Sequence, residues 1–598
     1  MNYRKDIQIM RGIAVLLVVL YHLGFSGFQS GFLGVDAFFV ISGFLMTVLY
    51  NHNNKSEFYV RRCRRLLPAY FATIFLTLVA AAAITLPNEL YQVVEQSVYG
   101  IFLCSNIGFW MHNSYFSKSE FNPLLHLWSI GVEIQYYLII PMIYWAFRKL
   151  RISLVGLMAG SMGVCFYLLE ISTKTSFFLM PLRIWEFLIG FVIAKYFSEA
   201  GNIKSERFNK FGGVALAVLV AIPAMKVDGE SLGFMSSQPG LHALIVCVAT
   251  ATVLACGIPK LILNSKLAAS LEILGKYSYS VYLAHFPIIV LYLYKPFSGT
   301  ILKPNSWGDT VVLVLLITVF SIAIYRCVEN PGRNLKISIK KIYIPLGLLV
   351  ICALVSFLPR TMYSSSELAI FEAGVDQAEY RCGKFFRILH PTALSCAITK
   401  TPTSAEKVVM LVGNSHADSI KASFAKSAER HGVAVYLTVA NRPFLEGGPN
   451  VEKIVAEAKK KGVSEIVLHF SPHEIRNVEI EQVINVANQS NISVSLIMPV
   501  PVYEEHIPEA LWKNISGGVE LPIRTSLDYN EFNRKLISQL KSFTAKQLRV
   551  YETVNYFCED SCSIFDSSGK PIYFDSEHLT LSGAVLLEPL FDVIFESK

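Results

Sequence analysis

Hydrophobic and polar positions follow two different patterns along the chain, and the change falls near residue 360. Before it, apolar runs of about 20 residues recur, each long enough to cross ~30 Å of hydrocarbon as a helix. The run at 93–110 is more polar and is interpreted as an interfacial or re-entrant piece. The pattern predicts about eleven spans, at 8–25, 33–50, 66–86, 127–147, 152–171, 177–197, 208–224, 240–257, 277–295, 309–329 and 342–359.

After residue 360, short apolar runs are separated by amphipathic stretches. Stretches such as 451–461 and 529–546 are predicted to be helical. Strands alternating with helices are typical of a parallel sheet covered on both faces, so a three-layer α/β domain is predicted. The predicted strands are residues 407–413, 433–440, 464–470, 492–501 and 549–554.

Composition and charge support this division. Hydrophobic residues make up 53% and charged residues 16% of the chain, which is too apolar for an ordinary soluble enzyme. Residues 1–359 carry an excess of Lys and Arg, whereas 360–598 carry an excess of Asp and Glu. The second half has no dense basic stripe with interleaved aromatic residues, so no nucleic-acid partner is expected.

Basic residues between the spans predict the topology. With the N terminus in the cytoplasm, every basic loop faces the cytoplasm, as the positive-inside rule requires. An odd number of spans then places residues 360–598 outside. These loops contain residues 4–5, 61–65, 148–151, 204–210, 260–276 and 326–341.

Cysteine usage fits an exported second half. Cys382, Cys396, Cys558 and Cys562 lie there, and an even number suits two disulfides in an oxidising compartment. Three pairings are possible, and four free thiols are the alternative. The other cysteines lie at or before residue 352.

Ionisable residues inside spans are costly and are therefore functional candidates. Arg11 and His22 are eleven residues apart, which puts both on one helical face about 16 Å apart along the axis. They could line one channel. His126, Ser129 and Glu133 also share a face, which suits proton transfer to or from an acyl acceptor. The alternative is structural hydrogen bonding across the bundle.

The segment "RRCRRLLP" contains Arg61, Arg62, Arg64 and Arg65. A guanidinium cluster at a cytoplasmic mouth could bind nucleotide phosphates through charge-assisted hydrogen bonds. The alternative is a topology signal that contacts anionic lipids. Farther along, Arg183 and Glu186 are predicted to form an ion pair one helical turn apart.

Seven segments, in order, resemble the membrane acyltransferase-3 family: "RGIAVLLVVLYH", "GVDAFFVISGFLM", "RRCRRLLP", "HLWSIGVEIQYY", "RIWEFLIG", "YSYSVYLAHFP" and "VENP". The resemblance implies a multi-pass α-helical bundle of about ten core helices, here with a linking eleventh. It also implies that acetyl groups pass from cytoplasmic acetyl-CoA to an outward-facing acceptor.

The same resemblance implies roles for single residues. Arg11 and His22 would be the essential charged pair near the acyl group, with Asp36 close to them. Arg61, Arg62, Arg64 and Arg65 would face the CoA phosphates. His126 and Glu133 would complete the polar lining, and Ser278, Tyr282 and His285 would approach the same cavity.

In the exported part, "GNSH" follows the first predicted strand, so Ser415 lies at the start of a helix, where a nucleophile would be exposed. Near the C terminus, "FDSEH" supplies Asp575 and His578. Asp575 could orient the imidazole while His578 takes the proton from Ser415. His416 is interpreted as a structural or substrate contact.

These features resemble the SGNH hydrolase superfamily, and the fused form resembles bacterial O-acetyltransferases of lipopolysaccharide O-antigen or similar glycans. Asn414 precedes the nucleophile where such families more often have Asp, which leaves the oxyanion donors unassigned. Gly447, Gly448 and His473 are positional candidates.

The expected function is acetyl transfer from acetyl-CoA, a donor substrate, to a surface polysaccharide or lipid-linked glycan, with O-antigen as the leading acceptor. No permanently bound cofactor and no metal is expected. Alternatives are a peptidoglycan or exopolysaccharide O-acetyltransferase, a glycan acetyl-esterase, and a transporter with a glycan-binding tail.

The expected location is the bacterial inner membrane, with the last domain in the periplasm. The predicted domains are an acyltransferase-3-like membrane domain at 1–335, a linking helix and periplasmic linker at 336–405, and an SGNH-like domain at 406–598.

Overall fold

The computed structural model forms two compact units, Met1–Leu358 and Pro359–Lys598, and each is described by itself. The predicted division instead assigned residues 336–405 to a linking transmembrane helix and a periplasmic linker between the two domains. The structure describes residues 3–50, 54–112, 120–149, 153–197, 206–226, 233–334, 343–400, 407–446, 448–544 and 546–596.

The first unit is helical. Its last helix, α16, continues into the second unit, and a π-helical turn at Ile324–Glu329 follows α14. The helices are α1 (Lys5–His22), α2 (Gly34–Leu49), α3 (Lys55–Ile84), α4 (Pro87–Ile101), α5 (Ser105–His112), α6 (Leu127–Lys149), α7 (Leu154–Leu169), α8 (Thr173–Phe178), α9 (Met180–Phe197), α10 (Glu206–Ala221), α11 (Leu241–Cys256), α12 (Lys260–Leu263), α13 (Lys266–Tyr292), α14 (Trp307–Ala323), α15 (Asn330–Gly332) and α16 (Tyr343–Met362).

Several of these helices are suited to a membrane. Among the described residues, 5 helices are long and apolar enough to cross one, and three shorter helices are also apolar. The predicted count of about eleven spans stays a prediction. The polar run at 93–110 folds as the end of α4, a short break and α5, and its place relative to the membrane also stays a prediction.

Glycines let two helix pairs approach closely. A side chain at Gly12 of α1 would overlap the backbone of Leu271 on α13, and one at Gly275 of α13 would overlap the backbone of Gln8. Gly43 of α2 meets the backbone of α9 in the same way. Small residues at such crossings allow close packing between membrane helices. The polar side chains of α1 and α13 are therefore held near one another.

The second unit is built on a mixed six-stranded sheet in the order β1-β3-β2-β4-β5-β6. Strands β2 to β6 are parallel, as predicted, but β1 pairs antiparallel with β3. The prediction of a parallel sheet did not include β1 and is wrong at this edge, where the sheet is mixed. The strands are β1 (Ser395–Ala397), β2 (Lys407–Gly413), β3 (Val433–Thr438), β4 (Glu465–His469), β5 (Ser493–Ile497) and β6 (Arg549–Tyr551).

Hydrophobic side chains cover both faces of β2. Val409 and Leu411 belong to one buried cluster, whereas Met410 and Val412 belong to another, because successive side chains of a strand point to opposite faces. The helices of this unit are α17 (Ser365–Glu372), α18 (Lys384–Leu389), α19 (Ser415–Arg430), α20 (Val451–Lys460), α21 (Ile480–Asn488), α22 (Ile507–Gly517), α23 (Ser526–Phe532), α24 (Arg534–Leu540), α25 (Leu581–Ala584) and α26 (Glu588–Glu596).

Residues 359–400 belong to the second unit because they pack into it. Phe371 of α17 is buried, and its ring lies 5.0 Å from that of Trp512 on α22. Strand β1 joins the sheet, and the Cys382–Cys396 disulfide ties it to the segment before α18. The second disulfide is Cys558–Cys562. The structure thus selects one of the three possible pairings.

Candidate active sites

Ser415 stands at the junction of β2 and α19, where the sequence predicted it. Asn414 is the residue before α19, and its side-chain oxygen accepts hydrogen bonds from the backbone N–H groups of His416 (3.0 Å) and Ser471 (3.1 Å). Its amide donates to Glu474 at 2.7 Å. Asn414 therefore fixes the turn and ties it to the loop after β4.

The structure brings Ser415, Asp575 and His578 together. Nε2 of His578 lies 2.7 Å from Ser415 Oγ, and Nδ1 lies 2.8 Å from Asp575 Oδ2. A carboxylate at Nδ1 requires an N–H there, so Nε2 is the nitrogen that accepts the serine proton. The other oxygen of Asp575 accepts from the backbone N–H groups of Glu577 and His578 at 2.9 and 2.7 Å.

The electrostatics of this site suit a general base. Burial alone would lower the pKa of His578, but the hydrogen bond and charge of Asp575 outweigh it and raise the pKa above its usual value. Burial would raise the pKa of Asp575, but its hydrogen bonds with His578 and the backbone lower it. Asp575 therefore stays ionised while His578 takes up and releases a proton.

His416 lies beside the base but does not replace it. The side chain is buried, its ring centroid is 4.8 Å from that of His578, and its Nε2 lies 3.6 Å from Glu577. Burial lowers the pKa of His416. Ligand atoms of His416, Glu577 and His578 fall within 4.8 Å of one another, a spacing that could hold a metal ion. His578 already bonds Ser415 and Asp575, so an ion there would displace those contacts.

Arg381 is a buried residue of this site that the sequence reasoning missed. One of its terminal nitrogens donates to the carbonyl of Gly413 at 3.0 Å and to Asn441 at 2.5 Å. Its backbone N–H donates to the carboxylate of Asp418 on α19 at 3.0 Å. Arg381 therefore anchors the turn between β2 and α19 that carries Ser415. It was overlooked because its segment was interpreted as a linker.

Of the three candidate oxyanion donors, the structure describes Gly448 and His473. Gly447 lies outside the described residues. The N–H of Gly448 donates to the carbonyl of Leu445 at 2.9 Å, within its own loop. His473 is exposed and packs against Phe532 with ring centroids 5.5 Å apart. In the first turn of α19, the N–H groups of His416 and Asp418 donate to Asn414.

In the first unit, a polar cavity lies among α1, α2, α3, α6 and α13. Glu133 accepts hydrogen bonds from the hydroxyls of Ser42 and Tyr137, which fix its carboxylate. Tyr282 bonds Ser129 at 2.7 Å and donates to the carbonyl of His126 at 3.0 Å. The polar lining comprises Arg11, Ser42, Arg62, Arg65, Ser129, Glu133, Tyr137, Ser278, Tyr279 and Tyr282.

A second cavity adjoins the first and is strongly basic. Arg11 and Arg65 line both cavities. Arg64 lines neither, although the sequence grouped it with the phosphate-binding arginines. The basic cavity is lined by Gln8, Arg11, Arg61, Arg65, Lys276 and Arg333. Sequence reasoning treated Lys276 and Arg333 only as loop charges, because nothing local indicates that they join this cluster.

His22 lies in a histidine cluster and does not line either cavity. Its Nδ1 is 3.1 Å from Nε2 of His285, and the ring centroids of His126 and His285 are 5.8 Å apart. All three side chains are buried. Arg11 lines both cavities and His22 lines neither, so a single channel lined by both residues stays a prediction. Tyr282, on the same helix as His285, connects the cluster to the first cavity.

Asp36 is placed differently from the prediction. Its carboxylate accepts hydrogen bonds from Arg183 at 3.0 Å and from Gln238 at 3.0 and 2.9 Å, rather than from Arg11 or His22. Arg183 also pairs with Glu186 at 2.6 Å, as the helical spacing predicted. An unpaired carboxylate is costly in a membrane, so Asp36 is held by the nearest buried cation. Asp36 and Arg183 thus contact each other, Gln238 and Glu186, which indicates a structural role for these side chains.

Comparisons with known proteins agree with the two units. Residues 4–326 match the acyltransferase domain of the acyltransferase-3 family, and residues 381–593 match the SGNH domain that is fused to such domains. The chain is 30% identical over 340 residues to a candidate membrane-bound transacylase, BcsY, of Komagataeibacter xylinus, covering 56% of this chain and 84% of that protein.

Two further similarities are weaker. The O-acetyltransferase OatA of Staphylococcus aureus is 28% identical over 366 residues, covering 56% of this chain and 58% of that protein. The solved periplasmic domain of a lipopolysaccharide acetyltransferase from Salmonella serovar Paratyphi A is 12% identical and covers 36% of this chain and 95% of that chain, with a TM-score of 0.27. The family matches confirm both resemblances: the chain belongs to the acyltransferase-3 family, carries a fused SGNH domain, and is a membrane O-acyltransferase.

Proposed function

We propose that the chain transfers acetyl groups from cytoplasmic acetyl-CoA to hydroxyl groups of a cell-surface glycan, with lipopolysaccharide O-antigen as the leading acceptor. The observation that carries the proposal is the presence of two centres suited to acyl chemistry on one chain. One is the polar cavity of the membrane unit, and the other is the arrangement of Ser415, His578 and Asp575.

The donor assignment rests on the basic cavity. Five cationic side chains, with one amide, line a space that opens beside Glu133, Ser129 and Tyr282. CoA carries several phosphate groups on a long thiol-bearing arm. Guanidinium groups bind phosphates through charge-assisted, bidentate hydrogen bonds. The phosphates would occupy the basic cavity while the thioester reaches the polar one.

The membrane orientation rests on charge and cysteines. Four of the six residues that line the basic cavity, Arg61, Arg65, Lys276 and Arg333, come from loops predicted to face the cytoplasm. Both disulfides lie in the second unit, whereas the free cysteines, from Cys63 to Cys352, lie in the first. Disulfides persist in oxidising compartments such as the periplasm. The second unit is therefore proposed to face the periplasm of a bacterial inner membrane.

The second unit would complete the transfer through a covalent ester. Ser415 Oγ attacks the acetyl carbonyl as His578 takes its proton, and an ester bond to Ser415 forms while the bond to the donor breaks and His578 passes that proton to the leaving donor group. A glycan hydroxyl then attacks this ester, gives its proton to His578, and leaves as the acetylated product. Ser415 recovers its proton from His578, which closes the cycle.

O-antigen is proposed as the acceptor because the fused arrangement resembles enzymes that modify it. Peptidoglycan and exopolysaccharide present similar hydroxyls and are the runner-up acceptors. Glycans from a host with and without the chain, compared by mass spectrometry, would identify the acetylated sugar. Loss of all chain-dependent acetylation in Ser415→Ala, with normal acetylation in the matched Ser419→Ala, is expected. Wild-type acetylation in Ser415→Ala would exclude the covalent relay.

A second function, glycan acetyl-ester hydrolysis, is favoured by the fact that the Ser415, His578 and Asp575 contacts all lie within the second unit. Such a site could act on an ester without a CoA donor. Full-length protein that releases acetate from acetylated glycan, yet never adds acetate when acetyl-CoA is supplied, would establish this function instead.

A further inference from the structure

His416 is a buried side chain of the second unit that the proposed chemistry does not use. Its side chain is 1% exposed, and neither ring nitrogen makes a hydrogen bond within the part of the chain that the structure describes. Nε2 lies 3.6 Å from the carboxylate of Glu577, too far for a hydrogen bond. Buried polar groups are normally paired, because burial removes their contact with water. The unpaired nitrogens of His416 therefore point to a ligand beside Glu577.

His416 belongs to a cluster of side chains of the metal-ligand type. Ligand atoms of His416, Glu577 and His578 lie within 4.8 Å of one another. His416 is in the first turn of α19, whereas Glu577 and His578 are in the loop before α25. Zinc bonds to imidazole nitrogen and carboxylate oxygen are about 2.0–2.2 Å long, so the ligand atoms around one ion are about 3–4 Å apart. The Glu577 side chain is 34% exposed and can turn toward the ion.

The donor set of this cluster suits zinc. Two imidazoles and a carboxylate are ligands of zinc sites that keep a fourth position open, whereas Mg²⁺ prefers oxygen ligands. Nδ1 of His578 donates to Asp575 at 2.8 Å. A carboxylate on that nitrogen is the usual support of a metal-ligating histidine, because it orients the ring and makes the other nitrogen more basic. Nε2 of His578 thus carries the lone pair that an ion would take.

We propose that His416, Glu577 and His578 bind Zn²⁺ and that the bound ion reversibly inhibits the Ser415 centre. The ion takes the lone pair of Nε2 of His578 and displaces the hydroxyl of Ser415, which lies 2.7 Å from that nitrogen. His578 then has no lone pair for the serine proton, so Ser415 is not activated. Removal of the ion restores the base, because no covalent bond of the protein has broken. Inhibition rests on the proposed role of Ser415, whereas zinc binding does not.

The test uses the purified full chain in detergent, freed of metal by a chelator. Hydrolysis of 4-nitrophenyl acetate is measured against Zn²⁺ concentration, with Mg²⁺ as the control ion, and each rate is divided by the metal-free rate of the same variant. Binding is measured separately from the visible absorption of Co²⁺, which reports its ligand geometry and requires no activity. Glu577→Gln and His416→Leu each remove one ligand. His431→Gln is the matched control, because His431 pairs with a carboxylate of the same unit, Asp592, at 3.2 Å.

Zn²⁺ but not Mg²⁺ is expected to inhibit wild type, and excess chelator should restore the activity. Glu577→Gln and His416→Leu should each raise the Zn²⁺ concentration for half inhibition at least about 10-fold and weaken Co²⁺ binding, whereas His431→Gln should change neither. Equal inhibition of wild type and both ligand variants, or absence of Co²⁺ absorption bands in folded wild type, would overturn the inference. Co²⁺ binding that depends on both ligands, in a wild-type chain without ester hydrolysis, would instead overturn the proposed role of Ser415.

Discussion

Nε2 of His578 lies 2.7 Å from Oγ of Ser415, although 163 residues separate them in the chain. The contact depends on the loop that carries the histidine. The backbone N–H groups of Tyr503 and Ile507 donate to the carbonyls of Ser576 and Asp575. This loop is thus attached to the segment after β5, near the end of the sheet where Ser415 begins α19.

Asp575→Asn tests the electrostatic account of this contact. Asp575 raises the pKa of His578, so wild-type activity should fall as the pH drops through that raised pKa. The variant should lose about 10³- to 10⁴-fold in kcat, because the amide no longer enforces the productive tautomer. Its residual activity should persist to lower pH than that of wild type.

The measurement is the pH dependence of kcat/KM for hydrolysis of 4-nitrophenyl acetate by the full chain. Asp566→Asn, in an exposed turn of the same unit, is the matched control and should leave the profile unchanged. An acidic limb that moves to higher pH in Asp575→Asn would contradict the assignment.

Arg381→Leu tests the anchor below the nucleophile turn. The substitution leaves the Gly413 carbonyl and Asn441 without their buried donor, and lost hydrogen bonds to a charged group cost about 2–3 kcal/mol. We expect a lower midpoint for thermal unfolding of the second unit and a reduced kcat toward the same ester. Arg387→Leu, on α18, is the control. Equal midpoints of thermal unfolding for Arg381→Leu and Arg387→Leu would show that the hydrogen bonds of Arg381 do not stabilise the second unit.

Removing the Cys382–Cys396 disulfide should also destabilise the second unit. The bridge spans 14 residues, and closing a loop of that length stabilises a fold by about 3 kcal/mol. The double variant Cys382→Ala, Cys396→Ala should unfold at lower urea concentration than wild type, and wild type with reductant, which loses both bridges, should unfold at least as readily as the variant. Since Cys558–Cys562 spans only 4 residues, its removal should have the smaller effect.

Much of the fold could be predicted from the sequence because its signals are local. Strands β2 and β4 are runs of buried apolar residues, and each begins within a residue of its predicted start. Strand β1 could not be found in this way. It has three residues, includes a disulfide cysteine, and is recognisable only through its antiparallel pairing with β3.

The residues of the candidate sites show the same contrast between local signals and long-range contacts. Ser415, Asp575 and His578 occur in short segments whose chemistry is recognisable without the fold. Asp36 was placed with the wrong partners, since Arg183 and Gln238 come from segments more than a hundred residues away. Such pairings depend on how helices pack, which local spacing does not contain.

Substitutions at the neighbouring residues Arg64 and Arg65 can distinguish a phosphate-binding role of the arginine cluster from a role as a topology signal. Arg65 lines both cavities, whereas Arg64 lines neither. Arg65→Ala should raise the KM for acetyl-CoA about 10- to 100-fold, the loss expected for a charge-assisted hydrogen bond to phosphate. Arg64→Ala removes the same charge from the same cytoplasmic segment, so KM should change by less than about threefold if the cavity assignment holds.

The assay is acetyl-CoA-dependent glycan labelling in vesicles at two ionic strengths, because screening should weaken donor binding more in wild type than in Arg65→Ala. Equal KM values for the two variants would indicate that the cluster acts through membrane orientation and not through the donor.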